Sequence, residues 1–282
     1  MSNLFSGLEE LGLNKAKDIK LYKDEEEKET KKKEKKEIKM SDFLFLKSSK
    51  CPVCGNEFKT HRVKTGSVRL SSVDTDLRPK YEHIDTLKYG VTLCNKCGYA
   101  TLNQDFNTIT PSKKKLVLEK VSSNYKSVDG NESDELSYDE SILRHKLALL
   151  NTVVTKGGFS EKAYTCLRIA WLIRGKREDL EKSPEQEKEE IAKLKQEEMQ
   201  FIENAYEGFE KAYSSEDFPI SGMDINTLSY LLGELARRLG KYDEAGKWAS
   251  QVIISKNASR QIKDRARQLR DRLREDKKRG KE

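Results

Sequence analysis

The chain has 282 residues, enough for two domains at about 100 to 200 residues each, and no apolar run in it approaches the ~18 residues that a membrane helix needs, the longest being Leu147 to Val154. Apolar residues make up 35% and charged residues 37%, against roughly 45 to 50% and about 25% in an average globular chain, so much of the polypeptide has to face water. The formal charge of +7 is carried by the segment from Lys256 to Glu282, where twelve Lys or Arg stand against five Asp or Glu, and any field that attracts a polyanion is concentrated there.

Met1 to Leu13 lacks a basic start, a long apolar stretch and a small-residue cleavage site, which argues against a secretory signal and for a cytoplasmic location. Leu4, Phe5, Leu8, Leu11 and Leu13 recur at roughly helical spacing. Asp24 to Lys39 is almost wholly charged and cannot bury a core, so residues 1–41 read as a flexible charged N-terminal tail. From Asp42 to about Thr110 the pattern turns to short β-type runs such as His61 to Lys64, Val68 to Leu70 and Gly90 to Leu93. Thr110-Pro111 has the form of an N-cap followed by Pro at the first helical position, opening a helix with Leu118, Val121 and Tyr125 on one face, and Asp129 to Ser133 breaks it.

Beyond about Ser137 the pattern is helical throughout. Ile142, Leu149, Leu150 and Val153 fit one stripe, and Gly157-Gly158 ends it. Ser160 to Arg174 is apolar on more than one face and needs neighbours on both sides. Glu178 to Glu198 reads as the solvated start of a helix whose apolar part holds Met199, Ile202, Tyr206, Phe209 and Tyr213. Helices over Asn226 to Leu239, Asp243 to Ser255 and Ser259 to about Asp276 follow. The predicted class is α+β: a small β-rich domain over 42–110, then an all-α helical array over 111–282 with a basic C-terminal helix.

The strongest motif pairs Cys51-Pro-Val-Cys54-Gly55 with Cys94-Asn-Lys-Cys97-Gly98. A two-residue gap lets two thiolates on one tight turn face a single ion, and the Gly that follows supplies the positive φ that closes the turn. Two such turns complete a tetrahedral set with no position left for water, which is the pattern of a structural Zn2+, one per chain, although four thiolates also suit iron. The insert from Gly55 to Leu93 exceeds the about 15 to 20 residues of a minimal ribbon and must form hairpins of its own. His61 and His83, inside it, read as solvated loop histidines, and Cys166 reads as a small core residue on an apolar helix.

Cys51-Pro-Val-Cys54, Val73-Asp74-Thr75-Asp76-Leu77-Arg78-Pro79 with Tyr81, Tyr89-Gly-Val with Leu93-Cys94, Cys97-Gly98-Tyr99-Ala100 and Arg168-Ile-Ala-Trp171-Leu-Ile-Arg174 together resemble an uncharacterised bacterial family, domain of unknown function 2225. The resemblance covers roughly residues 42 to 255. Asn95 and Thr86 depart from it, each where Pro is usual, and neither is a ligand position. It implies a zinc-ribbon-like front and a helical-repeat back in a soluble bacterial protein, and it implies no particular reaction.

Gly240-Lys-Tyr242-Asp-Glu-Ala245, with Gly233 before it and Trp248 after, looks like one tetratricopeptide repeat, and Gly158 to Ala163 is a weaker echo. Stacked helix pairs present a surface suited to an extended peptide or a partner helix. Trp171, Tyr206, Phe209, Tyr213 and Trp248 are expected in the core. Ile262, Ala266, Leu269 and Leu273 form a seam on the last helix, and Arg260, Lys263, Arg265, Arg267, Arg270, Arg272 and Arg274 cover its other faces. Arg260, Lys263, Arg267, Arg270 and Arg274 are the candidate nucleic-acid contacts. Asp74 and Asp76 beside Arg78 read as a salt-bridged turn, with a catalytic pair as the alternative. No phosphate-cradling Walker loop, Gly-x-Ser-x-Gly or His-Glu-x-x-His occurs. The sequence therefore predicts a non-enzymatic zinc-binding adaptor or scaffold that engages a protein partner through its helices, or alternatively a nucleic-acid-binding protein using the ribbon and the basic helix.

Overall fold

Strands form here where β-branched and aromatic residues gather between turn residues, and each pairs with its neighbour in sequence. In the computed structural model, which describes residues 38–127, 135–182 and 187–279, β1 (Leu44–Lys50) is antiparallel to β2 (Glu57–Val63), β3 (Leu70–Val73) to β4 (Pro79–Tyr81) and β5 (Val91–Leu93) to β6 (Ala100–Leu102). Among the described residues these make three separate two-stranded sheets. A lone hairpin is marginal in water, so each needs support from its tip or from the helices. The two Cys-x-x-Cys turns are the tips of the first and third hairpins, and Asp74 to Arg78 is the tip of the second.

The helices are α1 (Pro111–Val117), α2 (Tyr138–Val154), α3 (Phe159–Leu180), α4 (Lys188–Ser215), α5 (Ile225–Arg238), α6 (Tyr242–Ile254) and α7 (Arg260–Arg279). The fold is α+β, with hairpins first and helices after. The chain divides into two units, Met1–Lys39 and Met40–Glu282, and all these elements belong to the second. The apolar repeat from Leu4 to Leu13 and the break from Asp129 to Ser133 lie outside the described residues, as does the charged run from Asp24 up to residue 37. No helix among the described residues is long and apolar enough to cross a membrane.

α3 is buried on several sides, with Leu167, Ile169, Ala170, Leu172 and Ile173 inaccessible to solvent. It packs along α4, which contributes Ile202, Tyr206 and Phe209, and the same core continues into Leu228, Leu231 and Leu235 of α5 and Ala245, Ala249 and Val252 of α6. α5 and α6 approach closely because Gly233 has no side chain: a Cβ there would stand 2.9 Å from Leu269 and 3.2 Å from the Trp248 Cβ. Trp171, Tyr206 and Phe209 are buried, while Tyr213 and Trp248 are partly buried and meet edge to face. Ala266, Leu269 and Leu273 of α7 close the core, with Ile262 packed at its margin.

Several local expectations are corrected. Glu178 lies in the last turn of α3 rather than opening the next helix, which starts at Lys188. α1 runs into a π-helical turn over Leu118–Ser122, and the extra residue leaves Leu118 exposed while Val121 stays buried. On α2 the buried residues include Ile142, Ser141, His145, Ala148 and Asn151, whereas Leu150 and Val153 face outward. The polar members of that face bond to backbone carbonyls, which lets a face with little apolar character be the buried one.

Candidate metal centre

Each cysteine turn is closed by the same two hydrogen bonds. Gly55 N–H donates to the Cys51 carbonyl and Gly98 N–H to the Cys94 carbonyl, both at 2.9 Å, while Cys51 N–H donates to the Asn56 carbonyl and Cys94 N–H to the Tyr99 carbonyl. Gly55 and Gly98 have φ of +76° and +72°, the left-handed conformation that the turn demands and that side chains resist. The second turn is also pinned from outside. Ser122 Oγ donates to the Cys97 carbonyl at 2.8 Å, and Asn151 Nδ2 on α2 donates to the Gly98 carbonyl at 3.0 Å.

The four sulfurs converge. One ligand atom from each of Cys51, Cys54, Cys94 and Cys97 lies within 4.8 Å of the others, with Cys51 to Cys97 and Cys54 to Cys94 both at 3.6 Å. A tetrahedron built on metal–sulfur bonds of about 2.3 Å has edges of about 3.8 Å, so the cluster matches the donor set of one tetrahedral ion. Cys51, Cys94 and Cys97 are buried and Cys54 is half-buried, in a small core with Tyr99, Phe106, Val117 and Val121.

Hydrogen bonding among the clustered thiols holds Cys94 down and pushes Cys51 and Cys97 up. A bound cation replaces the shared protons, so metal uptake releases them.

His61 is not a solvated loop residue: it lies buried in β2 opposite Leu46. His83 is exposed, takes φ of +66° and stacks on Phe43. Cys166 is buried in the helical core, and burial pushes its thiol up to about 11.

Asp74 and Asp76 end up far from the thiols in chemical role. The tip they belong to is inserted among the helices, and Asp76 is fully buried. Arg174 of α3 grips both Asp76 oxygens, at 3.0 and 2.6 Å, and also meets Glu198 at 2.7 Å and Asp74 at 3.4 Å. Thr75 donates to Glu234 at 2.6 Å, and Tyr230 donates to the Thr75 carbonyl at 2.6 Å. Arg78 bridges Asp85 and Glu178. Burial alone would raise the Asp76 carboxyl, but Arg238 and Arg174 outweigh it and hold it down at about 2. Such a carboxylate is a permanently charged anchor and a poor proton acceptor. The sequence pointed to Arg78 beside the turn; the decisive partners, Arg174 and Arg238, are about a hundred residues or more away and carried no local signal.

On α7, Arg260, Arg267, Arg270 and Arg274 are exposed and Lys263 is half-buried. Arg260 and Arg267 share Asp264, and Arg274 pairs with Asp271. Arg265 and Arg272 turn inward, to the Asp74 carbonyl and to Glu234. The basic helix thus uses part of its charge to hold the second hairpin and α5. Asn56, Ser122, Asn151 and Tyr99, which brace the cysteine turns, were missed as site residues; the polar period of Ser141, His145 and Asn151 on α2 was the available clue.

Residues 44–273 match the model of an uncharacterised protein family conserved in bacteria, DUF2225. The chain belongs to this family. An uncharacterised protein of Borreliella burgdorferi (strain ATCC 35210 / DSM 4680 / CIP 102532 / B31) is 29% identical over 150 residues, covering 47% of this chain and 52% of the relative. The chain therefore spans about half the length of that curated relative. No solved structure matches.

Proposed function

We propose that this protein is a non-enzymatic adaptor, in which one structural zinc ion locks two hairpin tips together and the helices present a docking surface for a protein partner. Zinc is favoured by four thiolates in a closed set with no position for water, on turns braced by backbone N–H groups, the Ser122 hydroxyl and the Asn56 and Asn151 amides. The observation that carries the adaptor reading is on α2. Leu143, Leu150 and Val153 are 68%, 48% and 53% exposed and fall on one side of the helix, an apolar row left open among the described residues. The α5–α6 pair, closed at Gly233, is the tetratricopeptide-like element, and such pairs commonly hold peptides or helices. In a cytoplasmic setting the thiols stay reduced and available to metal.

The test is comparative capture. Wild-type protein and a Leu143→Glu, Leu150→Glu variant are used as baits in bacterial extract; partners retained by the first and lost by the second support the reading, and an identical partner set refutes it. The second reading, nucleic-acid binding by the hairpins and α7, rests on the exposed Arg267, Arg270 and Arg274. It ranks behind because Arg260, Arg267 and Arg274 already have carboxylates within their own helix. A gel shift that weakens steeply with salt and disappears on Arg267→Gln, Arg270→Gln, Arg274→Gln would promote it.

A further inference from the structure

Three of the buried or half-buried arginines are heavily compensated. Arg174 meets three carboxylates, Arg78 three and Arg238 three. Arg168 on α3 departs from that pattern. Among the described residues it forms no ion pair, its Nε is buried without a hydrogen-bond partner, and its guanidinium lies 5.7 Å from the Tyr164 ring centroid. It borders a cleft of about 550 Å³ between the first hairpin, β4 and the Thr86–Tyr89 turn. Lys47 and Arg62 border the same cleft, and no Asp or Glu is among its described lining residues.

The cleft has features of construction. Gly90 has φ of −80°, an ordinary conformation for any residue, yet any side chain there would collide with Arg168 Nη2. The glycine leaves the space that the guanidinium occupies, and a side chain there would displace it. Arg62 is aimed by a relay in which Nη2 donates to Thr92 Oγ1 at 2.5 Å, Thr92 Oγ1 donates to Asn103 Oδ1 at 2.9 Å, and Asn103 Nδ2 donates to the Tyr89 carbonyl at 2.6 Å. Buried Leu87 and Tyr89 form the floor, and Val63 and Pro79 add apolar wall. The neighbouring His145, fully buried, is held neutral by burial and next by the positive charge of Arg168. The volume falls in the range of small-molecule sites, roughly 300 to 1,000 Å³.

We propose that this cleft binds the phosphate group of a small phosphorylated molecule, with Arg168 and Arg62 as the guanidinium donors, Lys47 as a rim charge, and the apolar floor under the organic part. Planar guanidinium groups match phosphate oxygens in paired hydrogen bonds, and Arg168, which forms no ion pair among the described residues, has that capacity to offer.

The test is titration calorimetry of the full metal-loaded chain with inorganic phosphate and with pyrophosphate, at constant ionic strength set by chloride. Saturable one-to-one binding is expected, tighter for pyrophosphate. Arg168→Gln should weaken it about tenfold or more, Lys47→Gln by a few-fold, and Arg270→Gln, outside the cleft, not at all. Absence of saturation by either anion up to about 10 mM overturns the proposal, as does equal binding by the Arg168→Gln and wild-type proteins. So does a response confined to a single-stranded oligonucleotide, which would place the recognised phosphate in a polymer. Should Arg168→Gln fail to fold, Lys47→Glu on the exposed face of β1 decides: unchanged pyrophosphate affinity in that variant overturns the proposal.

Discussion

Asp76 and His145 have the most consequential environments among single residues, and they predict opposite responses to substitution. Asp76 is gripped by Arg174 at 2.6 Å and is fully buried, so Asp76→Asn takes the best-placed of three carboxylates from a buried guanidinium and should cost about 3 kcal/mol in denaturant unfolding. Its carboxyl is held at about 2, below the ordinary value near 3.9. A depressed carboxyl adds stability above the unfolded value, and that contribution, about 2 kcal/mol, is lost as pH falls from about 4 toward 2. His145 is a base held neutral at about 3 by burial and by Arg168. The unfolded chain takes up a proton there below about pH 6.5 and the folded chain does not, so stability falls by about 1.4 kcal/mol per pH unit from 6.5 downward. Comparing urea midpoints of wild type and His145→Gln from pH 7 to 5 isolates the effect, since acid loss of metal is common to both. A His145→Gln profile as steep as wild type would contradict it.

At the scale of elements, the tips of the first and third hairpins meet at the four cysteines, and the tip of the second is held by the helices. With the zinc reading, elemental analysis should find one zinc per chain, and Cys94→Ser should remove it. The expected consequence is loss of the tyrosine near-ultraviolet signal from Tyr99 and Tyr125, with helical circular dichroism largely kept, because the α3–α6 core shares no residue with the small cysteine core. Gly98→Ala tests the turn itself. It forces a side chain onto φ of +72° and within 2.6 Å of the Tyr125 ring, so metal affinity should fall while Gly55→Ala, which meets no neighbour, carries the conformational cost alone. Gly233→Val probes the α5–α6 contact. Leu269 and the Trp248 Cβ leave no room for it, and a loss of about 1 to 3 kcal/mol is expected in thermal or urea unfolding.

On the scale of the whole molecule, α7 is both the most basic helix and part of the core. Removing everything after Ser255 would expose the cavity left by Ala266, Leu269 and Leu273 and cut Arg272–Glu234 and Arg237–Asp276. Truncation should therefore lower the melting temperature by many degrees and confound any test of nucleic-acid binding. The triple Arg267→Gln, Arg270→Gln, Arg274→Gln change, at exposed positions, should alter stability by at most about 0.5 kcal/mol per site. A strongly destabilised triple variant would show that these side chains hold the fold rather than face a ligand.

The convergence of the four cysteines, the α+β order of elements and most of the helices were legible in the sequence, because two-residue cysteine spacing, Gly after each pair and apolar periodicity are local properties of the chain. The helix from Ser160 read as buried on both sides because its apolar residues occupy more than one face. What the sequence could not show was which polar residues are buried. Ser141, His145 and Asn151 went unread as a packed face, and Arg174 and Arg238 went unmatched to Asp76, because those partners are separated by scores of residues and meet only when the second hairpin is inserted among the helices. The exposure of Leu150 and Val153 had the same origin: an apolar stripe says that a helix has a sticky side, and only the packed neighbours decide whether that side is the one covered.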